Sequence, residues 1–329
     1  MLISLFGAFE SGIIYAIMAL GVYLTFRVLD FPDLTVDGSF VTGAAVASIS
    51  IISGVPPFLA TLMAAAAGFL AGCVTGILHT KGKINALLSG ILMMIALYSV
   101  NLRIMGQPTL PLLQETTIFK QLELAWEGTG INSFINGIFA SLGMEDLPGS
   151  WAILIVMVIV AVIIKLLTDY YLKTEIGLAL RATGDNKRMI RSLSANTDTL
   201  IIVGVGFSNA LVAFSGALIA QHGGFADVGM GIGLIIIGLA SVIIGEALFG
   251  TKTIARTTLA VIGGAIVYRV VVTMALRVDF FETGDMKLIT ALLVIAALVA
   301  PKIIHAQKEK KRRLKKKAQL SQYKVKEVS

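Results

Sequence analysis

The chain has 329 residues, of which 56% are apolar and only 14% are charged, whereas a soluble domain carries about 25% charged residues. The single cysteine, Cys73, lies in an apolar run and excludes a disulfide-stabilised secreted scaffold. The shortage of polar residues excludes a disordered or nucleic-acid-binding chain. The composition therefore predicts an all-α, polytopic membrane protein.

The net charge of +7 comes from the C-terminus. Residues 302–329 hold eleven of the 27 Lys and Arg residues but only two of the 20 Asp and Glu residues. A basic run directly after a hydrophobic segment marks the cytoplasmic side and binds anionic lipid headgroups. We therefore expect a basic cytoplasmic tail over 305–329, with membrane lipid and not nucleic acid as its partner.

Apolar segments long enough to cross a bilayer need about 20 residues. They predict about nine transmembrane helices in a membrane domain over residues 1–304. The predicted spans are 3–26, 36–54, 57–78, 85–105, 151–168, 199–220, 228–249, 257–276 and 288–304. The first is not a cleavable signal, because it lacks a basic start, carries Glu10 and is too long.

Lys and Arg concentrate in the loops 79–84, 169–198 and 250–256 and in the tail, which all fall on one side of this span list. The segment 106–150 falls on the other side, with five acidic residues against one lysine. The positive-inside rule then gives a cytoplasmic C-terminus. An odd number of spans places the N-terminus outside, unless one segment is re-entrant. Spacing in 106–150 indicates short amphipathic helices, which either cap the interface or dock an external partner.

A helix break is predicted after the first span. Pro32 disfavours helix at the residue before it, and Asp33 and Asp37 follow within five residues. Irregular backbone near a membrane requires protein or a water-filled cavity to satisfy it. Asp33 and Asp37 could line a translocation path or gate. Alternatively, these acids pair with Arg27 or cap the next helix.

Phe31-Pro32-Asp33-Leu34 is echoed by Phe225-Ala226-Asp227-Val228, which makes Asp227 a third candidate for the path. The runs that follow cross the membrane in opposite directions, as in inverted-repeat transporters, although a match this short also arises by chance. Arg269 is a fourth candidate, because a charge deep in a span faces protein or a cavity. The isolated polar residues form no pair at helical spacing within one predicted span, which weakens the case for an ion-coupled carrier.

Gly68, Gly72 and Gly76 recur every fourth residue in the third span. This spacing predicts close packing of another helix against one face. It carries no information about a substrate.

The sequence contains no complete catalytic motif of the common types. Gly245 to Thr253 resembles a P-loop, but Thr251 separates the second glycine from the lysine. The three histidines lie far apart, and metalloprotease, CxxC and nucleophile-elbow motifs are absent from the sequence. We therefore expect no catalytic residue, metal or cofactor, and any energy from ATP must come from another chain.

The loop 169–198 carries the most specific pattern. It predicts a short helix over 178–183 ended by Gly184, then a second helix over 186–193. Such a helix pair suits docking into a groove of another protein, or forms a plain connector. The pattern is Glu175, Gly177, Ala179, Arg181 and Ala182, with Asn-Thr-Asp at 196–198.

This pattern resembles the coupling loop of ABC importer permeases of the branched-chain amino acid family. The stretches 15–21 and 229–245 also resemble that family, and 31–38 occupies the place of its Asn-Phe-Ala-His-Gly element. The resemblance covers about residues 8–300. It implies two permeases, as two copies or with a paralogue, bound to two cytoplasmic ATPase subunits and supplied by an extracytoplasmic solute-binding protein. The coupling pattern, with Gly184, would contact the ATPase.

The stretch Asp30-Phe31-Pro32-Asp33 departs from the family pattern and resembles a subgroup linked to uptake of tryptophan or tyrosine. The resemblance therefore implies an importer of a small organic solute such as an amino acid. The rival hypotheses are an ion-coupled secondary transporter or channel, which would need an intramembrane charge network, and a membrane enzyme, which would need a reactive constellation.

Overall fold

The computed structural model describes residues 2–128, 130–141, 148–192, 195–276, 288–292, 295–296 and 299. Most of the predicted last span, 288–304, and the whole basic tail, 305–329, lie outside the described residues. In chain order the elements are α1 Leu2–Tyr23, α2 Thr35–Ile52, α3 Pro57–Thr80, α4 Ala86–Met105, β1 Thr109–Pro111, α5 Ile118–Glu127, α6 Ile131–Ser141, α7 Ala152–Lys173, α8 Glu175–Ser192, α9 Thr197–Gly223, β2 Phe225–Asp227, α10 Leu234–Phe249 and α11 Ile254–Ala275.

Seven of the described helices are long and apolar enough to cross a membrane: α1 with the π-helical turn that extends it, α2, α3, α4, α7, α9 and α11. The prediction of an all-α polytopic membrane protein is confirmed. The count of nine spans stays a prediction, because α10 has only 16 residues and the last span lies mostly outside the described residues.

The predicted span 228–249 is wrong at its start. Residues 228–233 form turns, and α10 begins only at Leu234. Three glycines in this stretch, Gly229, Gly231 and Gly233, disfavour helix because glycine loses the most backbone freedom on ordering. Gly233 has a φ of 86°, which a side chain would oppose. Because the stretch is apolar, hydropathy alone assigned it to the span although it is not helical.

Helix α9 is the centre of the bundle and packs against α1, α2 and α3. Its first residues follow α8, and its last residues lead into β2, which pairs antiparallel with β1. The bundle therefore has an α8 end and a strand end. The outer segment predicted from sequence supplies β1, α5 and α6 near the strand end, where Leu112 N–H donates to the Gly224 carbonyl (2.7 Å).

The glycines of α3 lie against α9. A Cβ added to Gly68 would lie 2.4 Å from the Asn209 carbonyl oxygen, and one on Gly72 would lie 2.4 Å from the Val205 carbonyl oxygen. At this separation the two backbones touch, which is the geometry that small residues at four-residue spacing allow.

We expect Gly72→Leu to lower the stability of the folded protein by about 3 kcal/mol, because the neighbour it meets is backbone and cannot move aside as a side chain can. Gly7→Leu is the matched control, since a Cβ at Gly7 has nothing within 4 Å. Thermal unfolding of both variants in detergent measures the difference. Equal melting temperatures would contradict close α3–α9 packing.

Candidate functional site

The chain breaks between α1 and α2 at the predicted place. The end of α1 widens into a π-helical turn, Leu24–Val28, in which Leu29 N–H donates to the Leu24 carbonyl. Asp30 follows with a φ of 51°, a left-handed conformation that Asp tolerates better than most residues. Pro32 then lacks the donor that would continue the helix. The break directs α2 back into the bundle.

Asp33 is fully buried inside this break. Its carboxylate accepts hydrogen bonds from the Thr35 N–H (2.9 Å) and from the Asn209 side-chain amide (2.6 Å). Asn209 lies near the middle of α9, so Asp33 sits well inside the bundle and not in a loop at its end. A carboxylate at the start of a helix satisfies a free N–H and interacts favourably with the helix dipole. Asp33 therefore ties the start of α2 to α9.

Asp37 performs the same task for a different helix. It lies in the first turn of α2, yet its carboxylate accepts hydrogen bonds from the Gly233 N–H (2.8 Å) and the Ile235 N–H (2.8 Å) at the start of α10. Gly231 approaches the same turn so closely that a Cβ there would lie 2.1 Å from the Asp37 carbonyl oxygen. The backbone of 228–233 can reach Asp37 only because this residue is glycine.

The starts of α2 and α10 thus meet inside the bundle, and the two helices run apart. α2 runs toward the strand end, where Ile51 packs with Ala220 and Ala226. α10 runs toward the α8 end, where Glu246 bonds to Arg27 at the end of α1. Interrupted helices whose starts meet within a membrane protein are typical of transporter binding sites, because the free N–H groups and the dipoles converge there.

The hypothesis that the acids of the break pair with Arg27 is wrong. Arg27 instead forms a two-pronged ion pair with Glu246, with 2.9 Å between Nε and Oε1. Asp33 and Asp37 accept hydrogen bonds at helix starts, which is the capping alternative. Whether they also line a translocation path stays a prediction.

A cavity of about 510 Å³ opens beside Asp37. Its walls come from α2, from α4 and from the turn 228–233, and most of them are apolar. Asp37 is the charged side chain among its lining residues.

The other two candidates for the path lie elsewhere. Asp227 accepts hydrogen bonds from the Thr109 hydroxyl (2.5 Å) and the Gly229 N–H (2.7 Å) at the strand end. Its bond to Gly229 repeats the bond between Asp33 and Thr35, each to the N–H two residues ahead. Arg269 joins α11 to α1, because it donates to the Ser11 hydroxyl and its guanidinium lies 4.7 Å from the centre of the Tyr15 ring. The four residues predicted for the path therefore bond to four different sets of partners.

Helix α8 is bent where the sequence predicted two helices. Asn186 has non-helical backbone angles (φ −151°, ψ 87°), and its side-chain oxygen accepts from the Met189 N–H (3.1 Å), so the second half begins with its own cap. The first half begins at Glu175, three residues before the predicted start. Gly184 does not end it.

Two glycines fix α8 to the bundle. A Cβ on Gly177 would lie 2.1 Å from the Tyr171 carbonyl oxygen at the end of α7, and one on Gly184 would lie 2.1 Å from the Val28 carbonyl oxygen at the end of α1. Gly177 is buried in this contact. These contacts leave no free space between the backbone of α8 and the ends of α1 and α7.

The outward face of α8 combines charge and apolar area. Of the six residues predicted for coupling, Glu175 and Arg181 are exposed, while Ala179, Ala182 and Gly184 are half-buried. The pattern missed Ile176 and Met189, whose side chains are 55% and 49% exposed. These two side chains add exposed apolar area to an otherwise polar helix.

Several charged groups support the second half of α8. Arg191 bonds to Asp198 (3.0 Å), and Lys187 lies 4.0 Å from the same carboxylate. Burial and the neighbouring Arg191 lower the pKa of Lys187, while Asp198 acts in the opposite direction.

Sequence reasoning also missed an ion pair within α7. Lys165 and Asp169 pair one turn apart on α7, both nearly buried, and Asp169 also accepts from the Thr258 hydroxyl of α11 (2.6 Å). The predicted span ended at residue 168 and so separated the two partners. A careful search for oppositely charged residues at four-residue spacing across that boundary would have found the pair.

The family model and the first relative both describe a permease of a transport system. Residues 4–298 match the family described as "Branched-chain amino acid transport system / permease component". The chain is 39% identical over 288 residues to the tyrosine transport system permease protein of Clostridioides difficile (strain R20291), with 88% of each chain covered. It is 32% identical over 206 residues to an uncharacterized protein of Rickettsia prowazekii (strain Madrid E), with 63% of this chain and 64% of that protein covered. The solved structure of PsaBC from Streptococcus pneumoniae in complex with Fab overlaps loosely, with a TM-score of 0.45 and 12% identity over 88% of this chain and 89% of that chain.

Long apolar helices, packed around two helix starts that meet inside the bundle, are typical of a multi-pass membrane transport protein. Within that class, the chain belongs to the permease-component family of branched-chain amino acid transport systems. It is the transmembrane permease subunit of an ABC importer of amino acids.

Proposed function

We propose that this permease imports an aromatic amino acid of the tyrosine type across a bacterial cytoplasmic membrane, with ATP hydrolysed by separate subunits bound to α8. The substrate class is supported by the relative described as a tyrosine transport system permease protein. The observation that carries the mechanism is the exposed face of α8, which is fixed by Gly177 and Gly184 to the ends of α7 and α1.

A continuous set of contacts joins α8 to the helix break. Gly184 of α8 touches Val28 at the end of α1, Arg27 at that same end pairs with Glu246 of α10, and the start of α10 is held by Asp37 of α2. An ATPase that moves α8 would therefore rotate α1 and α10 together and open the region between α2 and α10 to one side at a time. Discrete packed contacts of this kind transmit motion because they have no slack.

The partners follow from the two ends of the bundle. We propose that the α8 end, next to the Lys- and Arg-rich loops, faces the cytoplasm, and that the C-terminus lies there too. The strand end would face outward, where half-exposed or exposed apolar side chains on the outer helices and on β2 offer a contact for a solute-binding protein; these include Leu124, Phe134 and Phe225. A second permease, either a copy of this chain or a paralogue, would complete the core.

The test is purification of the complex from its native membrane, followed by reconstitution. We expect stoichiometric recovery of a soluble P-loop ATPase. L-Tyrosine uptake into proteoliposomes should require ATP enclosed in the lumen, which is the side that α8 faces in the molecules that import. Substitution of the catalytic glutamate of that ATPase by glutamine is the control and should abolish uptake. Uptake by this chain alone, driven by an ion gradient without ATP, would refute the proposal in favour of a secondary transporter.

A further inference from the structure

The cavity beside Asp37 has the size of an amino acid site. Its volume is about 510 Å³, within the range of roughly 300–1,000 Å³ typical of small-molecule sites. It lies at the place where the starts of α2 and α10 meet, so it is next to the irregular backbone that precedes each helix. Irregular backbone at such depth is tolerated where it lines a cavity.

The lining of the cavity is mostly apolar and includes Val41 from α2, Met94 and Ile95 from α4, and Ile232 from the turn before α10. Asp37, one turn of helix before Val41, adds a carboxylate to this lining. Sites for small ligands typically combine a mostly apolar lining with a few fixed polar groups that orient the ligand.

Asp37 retains capacity for a cation. An ionised carboxylate offers about four lone-pair positions, and the N–H groups of Gly233 and Ile235 occupy one on each oxygen. Both bonds hold the carboxylate in a fixed direction at the cavity wall. A primary ammonium is a compact cation with three donors and can bind the remaining positions.

We propose that this cavity binds the transported amino acid itself, with its ammonium group at Asp37 and its large apolar or aromatic side chain against Met94, Ile95 and Ile232. This inference rests on the proposed function and adds to it a substrate site within the permease. It also explains a preference for bulky side chains, because a small amino acid would leave most of the apolar wall unfilled and gain little from burial.

The test fills the cavity from an exposed position. Ser99 lies on α4 and lines the cavity, and it is exposed, so Ser99→Trp leaves the helix packing intact. The matched control is Val100→Trp, on the adjacent residue, which is exposed and does not line the cavity. Equilibrium binding of radiolabelled L-tyrosine to the purified permease–ATPase complex without solute-binding protein, and L-tyrosine uptake by the complete system, are measured on all three proteins.

We expect Ser99→Trp to weaken L-tyrosine binding by about tenfold or more while Val100→Trp stays within about twofold of the parent. Unlabelled L-phenylalanine should compete with the label, and L-alanine should not. Parental binding and uptake in Ser99→Trp, or equal losses in both variants, would overturn the inference. If the parent transports L-tyrosine but binds none without the solute-binding protein, the cavity site is wrong and the proposed function stands. If the parent transports no aromatic amino acid, the proposed function itself is wrong.

Discussion

Arg181→Glu combined with Ile176→Glu is expected to remove the ATPase from the complex and to abolish ATP-driven uptake. Both side chains are exposed on α8. Charge reversal at a protein interface places like charges together, and a carboxylate at an apolar contact loses its hydration; each effect costs several kcal/mol. Because about 1.4 kcal/mol is a tenfold change in affinity, the pair of substitutions should lower ATPase recovery by well over tenfold.

The measurement is the ratio of ATPase to permease after gentle detergent extraction, together with uptake in proteoliposomes. Lys81→Glu is the matched control, because Lys81 is an exposed cation in the loop between α3 and α4, at the same end of the bundle but outside α8. It should keep the parental ratio. The melting temperature of the permease should be unchanged in both variants, since neither Arg181 nor Ile176 is buried.

A parental ratio and parental uptake in the double variant would show that α8 is not the coupling element. Loss of uptake with an intact complex would show that the two residues are needed to transmit motion but not for assembly. In that case the contact of Gly184 with Val28 would be the next place to test, because it joins α8 to α1.

Local chemistry made parts of this structure predictable. Hydropathy located the long helices, and Pro32 located the break before α2, because each of these signals acts on the chain within a few residues. Two helices were predicted over α8 with Gly184 ending the first, but the bend lies at Asn186, whose side chain caps the helix that follows it. The family resemblance implies that α8 contacts an ATPase, a role that neither hydropathy nor capping reveals.

The partners of the charged residues were not predictable in this way. Arg27 pairs with Glu246, and Asp37 bonds to Gly233, in each case across roughly 200 positions of sequence. A single sequence shows which groups need partners, since buried charges are costly, but many folds could supply them. The late start of α10 could not be predicted for the same reason, because the turn 228–233 is stabilised by Asp37 on another helix.

Asp37→Asn is expected to destabilise the start of α10 and to reduce uptake strongly. The carboxylate accepts from two N–H groups at a helix start. An amide keeps one acceptor and turns a donor toward the second N–H, while the favourable interaction with the helix dipole is lost. Hydrogen bonds to a charged group contribute about 1.5–3 kcal/mol each, so the fall in stability should exceed 2 kcal/mol.

Hydrogen exchange distinguishes this capping role from a role in substrate binding alone. The amides of Gly233 and Ile235 should exchange faster in Asp37→Asn, whereas those in the middle of α9 should be unchanged. Asp30→Asn is the control: it removes a charge from the same break at an exposed position, and Asn tolerates the left-handed backbone found there. Unchanged exchange at Gly233 and Ile235 would show that the carboxylate does not hold α10. Lost uptake with unchanged exchange would instead assign Asp37 to the substrate, because only the ligand would then depend on its charge.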